Sequence, residues 1–238
     1  MPPDLIGSYN KDITIELDGV KNHLETSYFF TLDGGLFRAN EYVLNGGSYP
    51  YYLDIFQVGC TEPGFYQDYG TDLHHEGMSH HDIVENLLSL DMEHDAATKK
   101  IGRVAYKDLL LQDKGFVISA KQIKSVVIDR DYRAAGLARN VYKMLTLKHE
   151  YIVCDNIQSI SGGSLWASSI LSIGEVRIYD TRLNAFVDVL AKEGKGIGGL
   201  IPWSCQTLTV EQIEEWGRTF NPNSCHHIVN VISKDALY

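Results

Sequence analysis

No run in this chain approaches the roughly 18 consecutive apolar residues that a membrane-spanning helix needs. The first residues, MPPDLIGSYNKD, also lack the basic start and apolar stretch of an export signal. The expectation is a soluble, unexported protein. Basic side chains are scarce: 21 against 31 acidic ones leave a formal charge of −10 over 238 residues. Sequence-independent binding to a phosphate backbone needs a basic face that releases counterions, so the charge disfavours nucleic acid while leaving a local basic cleft open. Cysteine is sparse too. Positions 60, 154, 205 and 225 form no C-x-x-C pair and are too few for a disulfide framework, which reads as free thiols in a reducing cytoplasm. Six prolines make no proline-rich linker, and no repeat or low-complexity tract marks an independent module. What is present is a globular composition, 44% hydrophobic and 22% charged, which excludes global disorder.

Residues 12–60 are rich in β-branched and aromatic types. Runs such as Ile13-Thr14-Ile15-Glu16-Leu17 and Ser27-Tyr28-Phe29-Phe30-Thr31 read as strands. Asp33-Gly34-Gly35 and Asn45-Gly46-Gly47 are turn signals, because glycine tolerates positive φ. The tyrosines between Ser48 and Tyr52 either line a binding wall or cover a sheet, and covering is the ordinary role. Ser79 followed by Asp82 resembles a capping box, with Ile83, Leu87 and Leu90 then at helical spacing, so a helix is expected from Ser79. Histidines 74, 75, 80 and 81 invite a metal reading, but neither adjacent pair has the i, i+4 placement that puts two ligands on one helical face.

From residue 98 the texture changes. Lys100 to Lys107, Gly115 to Ser119 and Gln122 to Asp129 read as three strands. Leu137, Val141, Met144, Leu145 and Lys148 then follow the 3.6 period, with Arg139 and Asn140 opposite. A short strand Tyr151 to Cys154 comes next, and an SISGGS turn leads to a second helical stretch at Leu165 to Leu171. Strand, helix, strand, helix is an α/β order.

The junction Ile128-Asp-Arg-Asp-Tyr-Arg133-Ala-Ala-Gly136-Leu-Ala138 joins a strand to the clear helix and ends in R-x-x-G-x-A. Such a turn exposes backbone N–H groups where the helix macrodipole favours negative charge, and a pyrophosphate fits there. Strand, this motif, amphipathic helix and strand resemble the acyl-CoA-binding motif of the GNAT N-acyltransferase superfamily over roughly residues 98–180. Glu175 to Asp180 and His227 to Ser233 resemble that fold's closing strands. The stretch from Cys154-Asp155 to Ser161-Gly-Gly-Ser-Leu-Trp166 is similar to bacteriophage-encoded GNAT-like proteins, which would make the compartment a host cytoplasm.

The resemblance implies a mixed α/β sheet flanked by helices, with a β-rich extension over 1–75 on the acceptor side. The acyl-CoA-binding part would span 76–238, with an insertion at about 181–225. It further implies acetyl-CoA or another acyl-CoA as donor and transfer to an amine acceptor, a small molecule or a protein. Val126 and Ile128 would face the pantetheine arm. The N–H groups of Arg133, Ala134, Ala135, Gly136, Leu137 and Ala138 would cradle the pyrophosphate, and Asn156 would contact pantetheine. In many members a tyrosine on the second helix is the general acid. None stands between Leu165 and Leu171, so Ser168 or Ser169 would replace it, and Asp155, Asp129 or Glu76 would supply the base. The ordinary role of Asp155 is a turn residue. A catalytically inactive binding protein on the same fold, contacting a host or viral protein, is the rival reading. The pattern Gly194-Lys-Gly-Ile-Gly-Gly199 formally fits G-x-G-x-x-G, but Leu200-Ile-Pro202-Trp203 prevents the helix a dinucleotide fingerprint requires. It reads as a loop.

Overall fold

The computed structural model describes residues 4–6, 12–17, 19–47, 49–132, 136–205, 207–223 and 227–238. It is a mixed α/β protein with a large, mostly antiparallel sheet and helices. In chain order the elements are β1 (Asp4–Ile6), β2 (Val20–Thr31), β3 (Gly35–Asn45), β4 (Tyr51–Gln57), α1 (Phe65–His75), α2 (His80–Ser89), β5 (Lys99–Asp113) and β6 (Phe116–Ile128). There follow α3 (Leu137–His149), β7 (Tyr151–Val153), β8 (Ile157–Ser159), α4 (Ile160–Trp166), β9 (Gly174–Asp180), β10 (Ala185–Val189), α5 (Val210–Trp216) and β11 (Ile228–Leu237). No helix among the described residues is long and apolar enough to cross a membrane.

The chain divides into two compact units. One comprises Met1–Lys11, Tyr106–Lys124 and Val141–Tyr238; the other comprises Asp12–Ala105 and Ser125–Asn140. The cut expected near residue 75 falls at the end of α1, inside the second unit. Strands β5 and β6 contribute residues to both.

In the second unit β2, β3 and β4 form an antiparallel meander, with β5 next in order. Helices α1 and α2 pack Tyr66, Leu73, Ile83 and Leu87 against Phe30, Leu36 and Val58 of this unit. Ser79 caps α2 by accepting the Asp82 N–H, as its spacing predicts. Helix α1 carried no such signal, because its N-cap is Gly64 in a left-handed conformation with no side-chain cap. Gly70 lets it sit on the Phe30 ring, where a Cβ would overlap.

Three expectations need correction. The run Ile13 to Leu17 is not a strand but turn and irregular backbone; its Ile15 carbonyl is taken by the Arg103 guanidinium at 2.6 Å instead of a ladder partner. The three strands expected between 100 and 129 are two long ones, β5 and β6, joined at Lys114 and Gly115. Both residues have positive φ (50° and 87°), the backbone of a tight hairpin turn. SISGGS is not a turn: Ser159 caps α4 by accepting the Gly162 N–H at 3.1 Å, and the glycines lie inside that helix, so the helix expected at Leu165 to Leu171 starts five residues earlier, ends at Trp166 and is followed by a short 3-10 turn, Ile170–Ser172. The helix approaches so closely that a Cβ on Gly163 would stand 2.8 Å from Leu5 and 3.0 Å from the Trp216 ring.

In the first unit the strand order is β10, β9, β11, β7, β6, β5, and the two-stranded β1–β8 pair is parallel and separate. The β11 register places Val231 opposite Val153 on one side and Arg177 on the other. Trp166, Trp203 and Trp216 are all buried here. Trp203 and Trp216 meet edge to face at 5.3 Å, and Tyr142 meets Trp166 in the same way at 5.4 Å. Thr209 and Gln212 form the full reciprocal capping box of α5, which ends at Gly217 with φ 60°.

Candidate functional site

Strand β6 is mostly apolar near its end but carries Gln122, which is buried at 3% exposure. A buried amide costs free energy unless its hydrogen bonds are made. Gln122 Nε2 donates to the Cys154 carbonyl at 3.2 Å and to Asn156 Oδ1 at 2.6 Å. Two residues on, Lys124 Nζ donates to Asp155 Oδ1 at 2.5 Å, and that same oxygen accepts the Asn156 N–H at 2.7 Å. Gln158 reaches the Asp155 carbonyl at 3.2 Å and accepts the buried Trp203 indole N–H at 3.3 Å. The turn after β7 is thus fixed by side chains rather than by ladder bonds.

This matters because β6 and β7 are parallel, and their register pairs only Lys121 with Ile152 and Gln122 with Val153. β7 ends at Val153, whereas β6 continues to Ile128. The Cys154 N–H turns to the Asn230 carbonyl of β11 at 2.9 Å. Cys154 itself is fully buried, with its sulfur accepting the Asn230 N–H at 3.1 Å. Burial pushes its thiol up to about 12, so at neutral pH it is protonated and inert as a nucleophile.

In the second unit β6 ends on the expected residues: Val126 is half-buried and Ile128 is 8% exposed. The chain then leaves the strand through a short 3-10 turn, Arg130–Tyr132. The Asp129 N–H donates to the Ile101 carbonyl at 2.7 Å, its carboxylate pairs with Lys99 at 3.0 Å, and the Tyr132 hydroxyl donates to Gln57 at 2.5 Å. Arg133, Ala134 and Ala135 lie outside the described residues. Gly136 has φ 64°, the left-handed conformation that glycine adopts without strain. Its carbonyl accepts the Asn140 backbone N–H at 3.2 Å and the Asn140 amide at 3.3 Å. Leu137 is buried and Ala138 half-buried in the first turn of α3, whose N–H groups have no carbonyl one turn earlier within the helix. The Arg139 guanidinium folds back over this start, 3.5 Å from where a Gly136 Cβ would sit. Helical periodicity alone had put Arg139 simply on the outer face.

The proposed acids fare differently. Ser168 is exposed, and its hydroxyl donates to the Ser164 carbonyl at 2.5 Å. Ser169 uses its carbonyl to accept the Ser172 hydroxyl at 2.7 Å. Both behave as residues of a helix end. Asp155 has the turn role that its sequence context suggests, with an added ion pair to Lys124. Glu76 is the exposed C-cap of α1. Sequence reasoning missed Gln122 and Lys124, whose signal was a polar pair at alternate positions in an otherwise apolar strand end.

The glycine run 194–199 is a loop closed on Asp188. Oδ1 accepts the Val189 N–H at 2.8 Å and the Gly198 N–H at 2.9 Å, while Oδ2 accepts the Leu200 N–H at 3.2 Å. Desolvation alone would raise the Asp188 carboxyl, but the three amides together hold it below the usual range.

Two open clefts, of about 670 and 510 Å³, lie in the first unit, and neither is lined by a candidate residue named above. Among the described residues no group of three or more His, Cys, Asp or Glu side chains is placed to hold a metal ion. Comparison with protein-family models, curated proteins and solved structures finds no match to this chain.

Proposed function

We propose that this protein binds an acyl-CoA thioester along the end of β6 and transfers its acyl group, in the first instance acetyl, to an amine. The observation that carries this reading is the strand–turn–helix–strand unit whose parallel ladder stops at Gln122 and Val153, while β6 runs six residues further into the glycine-started α3. Beyond Val153 the end of β6 keeps β5 on one side, and a pantetheine arm would lie along the other, where β7 has ended, pairing its amides with backbone groups. Gly136, left-handed at the start of α3, with Arg139 folded over it, suits a pyrophosphate. These features fit the GNAT resemblance of residues 98–180.

In the reaction the amine lone pair attacks the thioester carbonyl and the carbon–sulfur bond breaks. The amine gives up a proton, and the departing thiolate takes one. An aliphatic amine with a pKa near 10.4 is mostly protonated at neutral pH, and freeing its lone pair costs about 4 to 5 kcal/mol, so a base is needed. The resemblance offers Asp155, Asp129 or Glu76 for that role; of these Asp155 takes both of its hydrogen bonds on Oδ1.

One observation favours an acyl-CoA-binding protein without turnover: α4 and the segment after it contain no tyrosine, and the Ser168 hydroxyl is spent on a helix carbonyl. Calorimetry with acetyl-CoA tests binding, and thiol release over a panel of amines tests transfer. Ala138→Glu places a negative charge at the first turn of α3 and weakens acetyl-CoA by at least about tenfold, equivalent to about 1.4 kcal/mol. Binding without thiol release selects the non-catalytic reading. No binding to the native protein sinks both.

A further inference from the structure

Three cations converge on one buried carboxylate in the second unit. Asp54, on β4, is 1% exposed. Its Oδ1 accepts Arg103 Nε at 2.8 Å, and its Oδ2 lies 3.0 Å from Lys100 Nζ and 3.7 Å from Lys21 Nζ. Among the described residues, Asp54 and the more distant Glu16 set two negative charges against three positive ones. The Arg103 side chain is 7% exposed, and its Nη1 donates to the Ile15 carbonyl at 2.6 Å. Its Nη2 is buried and makes no hydrogen bond among the described residues. A buried donor left without a hydrogen bond is unfavourable and calls for an explanation.

The nearest negative group explains only part of this. Glu16, in the irregular segment before β2, is 69% exposed. Its Oε2 stands 3.8 Å from Arg103 Nη2, and its Oε1 stands 3.8 Å from Lys100 Nζ. A charge-assisted N–H···O bond is about 2.7 to 2.9 Å long, so Glu16 offers each of its oxygens to a cation from about 1 Å too far. Its backbone is tethered where Ile15 is bonded to Arg103. Beside it Tyr42 and Tyr52 stack at 5.0 Å, with Lys21 Nζ 4.1 Å from the Tyr42 ring centre.

We infer that Lys100, Arg103 and Lys21 form a binding site for a small oxyanion-bearing molecule, a carboxylate or a phosphate monoester, and that Glu16 is the tethered carboxylate it displaces. A free oxyanion is not held back by a chain and can close the gap to direct hydrogen bonds with Arg103 Nη2 and Lys100 Nζ. Tyr42, the half-buried member of the stacked pair, gives its carbon part an aromatic wall. This site is independent of the acyl-CoA reading, and it is tested without coenzyme.

The test is titration of the full chain with inorganic phosphate and, separately, with glutarate at constant ionic strength, followed by amide and Arg side-chain NMR. Saturable shifts at Arg103 and in residues 12–17 are expected. Glu16→Gln removes the competitor and tightens binding about tenfold, whereas Lys100→Gln weakens it by a similar factor, each factor corresponding to about one charge-assisted hydrogen bond. Opposite signs at two positions around one point are not expected of a purely structural ion network. Whichever of phosphate or glutarate binds more tightly identifies the source of the oxyanion. The inference is overturned if neither saturates, if sodium chloride reproduces the shifts, or if Glu16→Gln weakens binding while remaining folded.

Discussion

The loop at 191–200 and Gly136 just before α3 both set glycine beside backbone amides, yet the loop closes on a carboxylate of its own chain and Gly136 precedes a helix. Asp188 takes three amides from its own strand and the glycine loop. The Gly136 bend receives a guanidinium, that of Arg139, and leads into the 13-residue α3. A carboxylate in the first bend makes it a satisfied structural loop. In the second, Arg139 lies beside Gly136 at a first helical turn whose N–H groups have no acceptor within the helix. Glycine content alone does not separate the two; what occupies the amides does.

Substitutions that refill each bend break or sharpen this contrast. The largest stability effect is expected at Gly196→Ala, because the new methyl overlaps the Asp188 carboxylate. Chemical denaturation should show a loss of about 2 to 3 kcal/mol, as for other overpacked sites. Asp188→Ala strands three amides and costs about 1 to 3 kcal/mol; formate should partly restore stability by occupying the vacated nest, and failure of that rescue would undo the description of the loop as an anion cradle. At Gly136→Ala a Cβ meets only ordinary contacts, so only the left-handed backbone opposes it, at about 1 to 2 kcal/mol. Acetyl-CoA affinity should fall with Ala138→Glu and be unchanged by Asp188→Ala.

The smallest effect is a pH dependence. The Asp188 carboxyl is lowered in the folded protein relative to a free carboxylate near 3.9. Its contribution is therefore fully present above that value and is lost as the pH falls through the lower, folded pKa. Amide exchange at Gly198 and Leu200, compared between pH 5 and pH 3, should rise at the acid end and be insensitive to pH in Asp188→Asn beyond the intrinsic exchange trend.

Parts of the fold were legible because their causes are local. Ser79 and Thr209 announce their helices through side chains three residues from the amides they cap. The α3 period and the strand runs of 20–57 and 174–180 rest on patterns within a single element. The α1 helix and the glycine-bearing α4 were not legible, because what holds them is distant. Gly70 is required by Phe30, and Gly163 by Leu5 and Trp216. The strand expected at Ile13 to Leu17 failed for the same reason: Arg103, 88 residues away, takes the Ile15 carbonyl.

The candidate residues divide likewise. The start of α3 could be read from its helical period, and Gly136 has the backbone that its lack of a Cβ permits. The roles of Gln122, Lys124 and Arg139 could not, since each depends on which group lies opposite after folding. Ser168 was named by elimination, whereas its hydroxyl is committed to the carbonyl one turn back.

By itself the sequence determined the mixed α/β order, the capped starts of α2 and α5, and the period of α3, because propensity, capping and hydrophobic period act over a few residues. Tertiary structure alone decided where the β6–β7 ladder stops, that Asp188 fills the glycine loop, and that three cations meet at Asp54. Those outcomes depend on charges and amides brought together from remote parts of the chain, where desolvation makes each pairing matter.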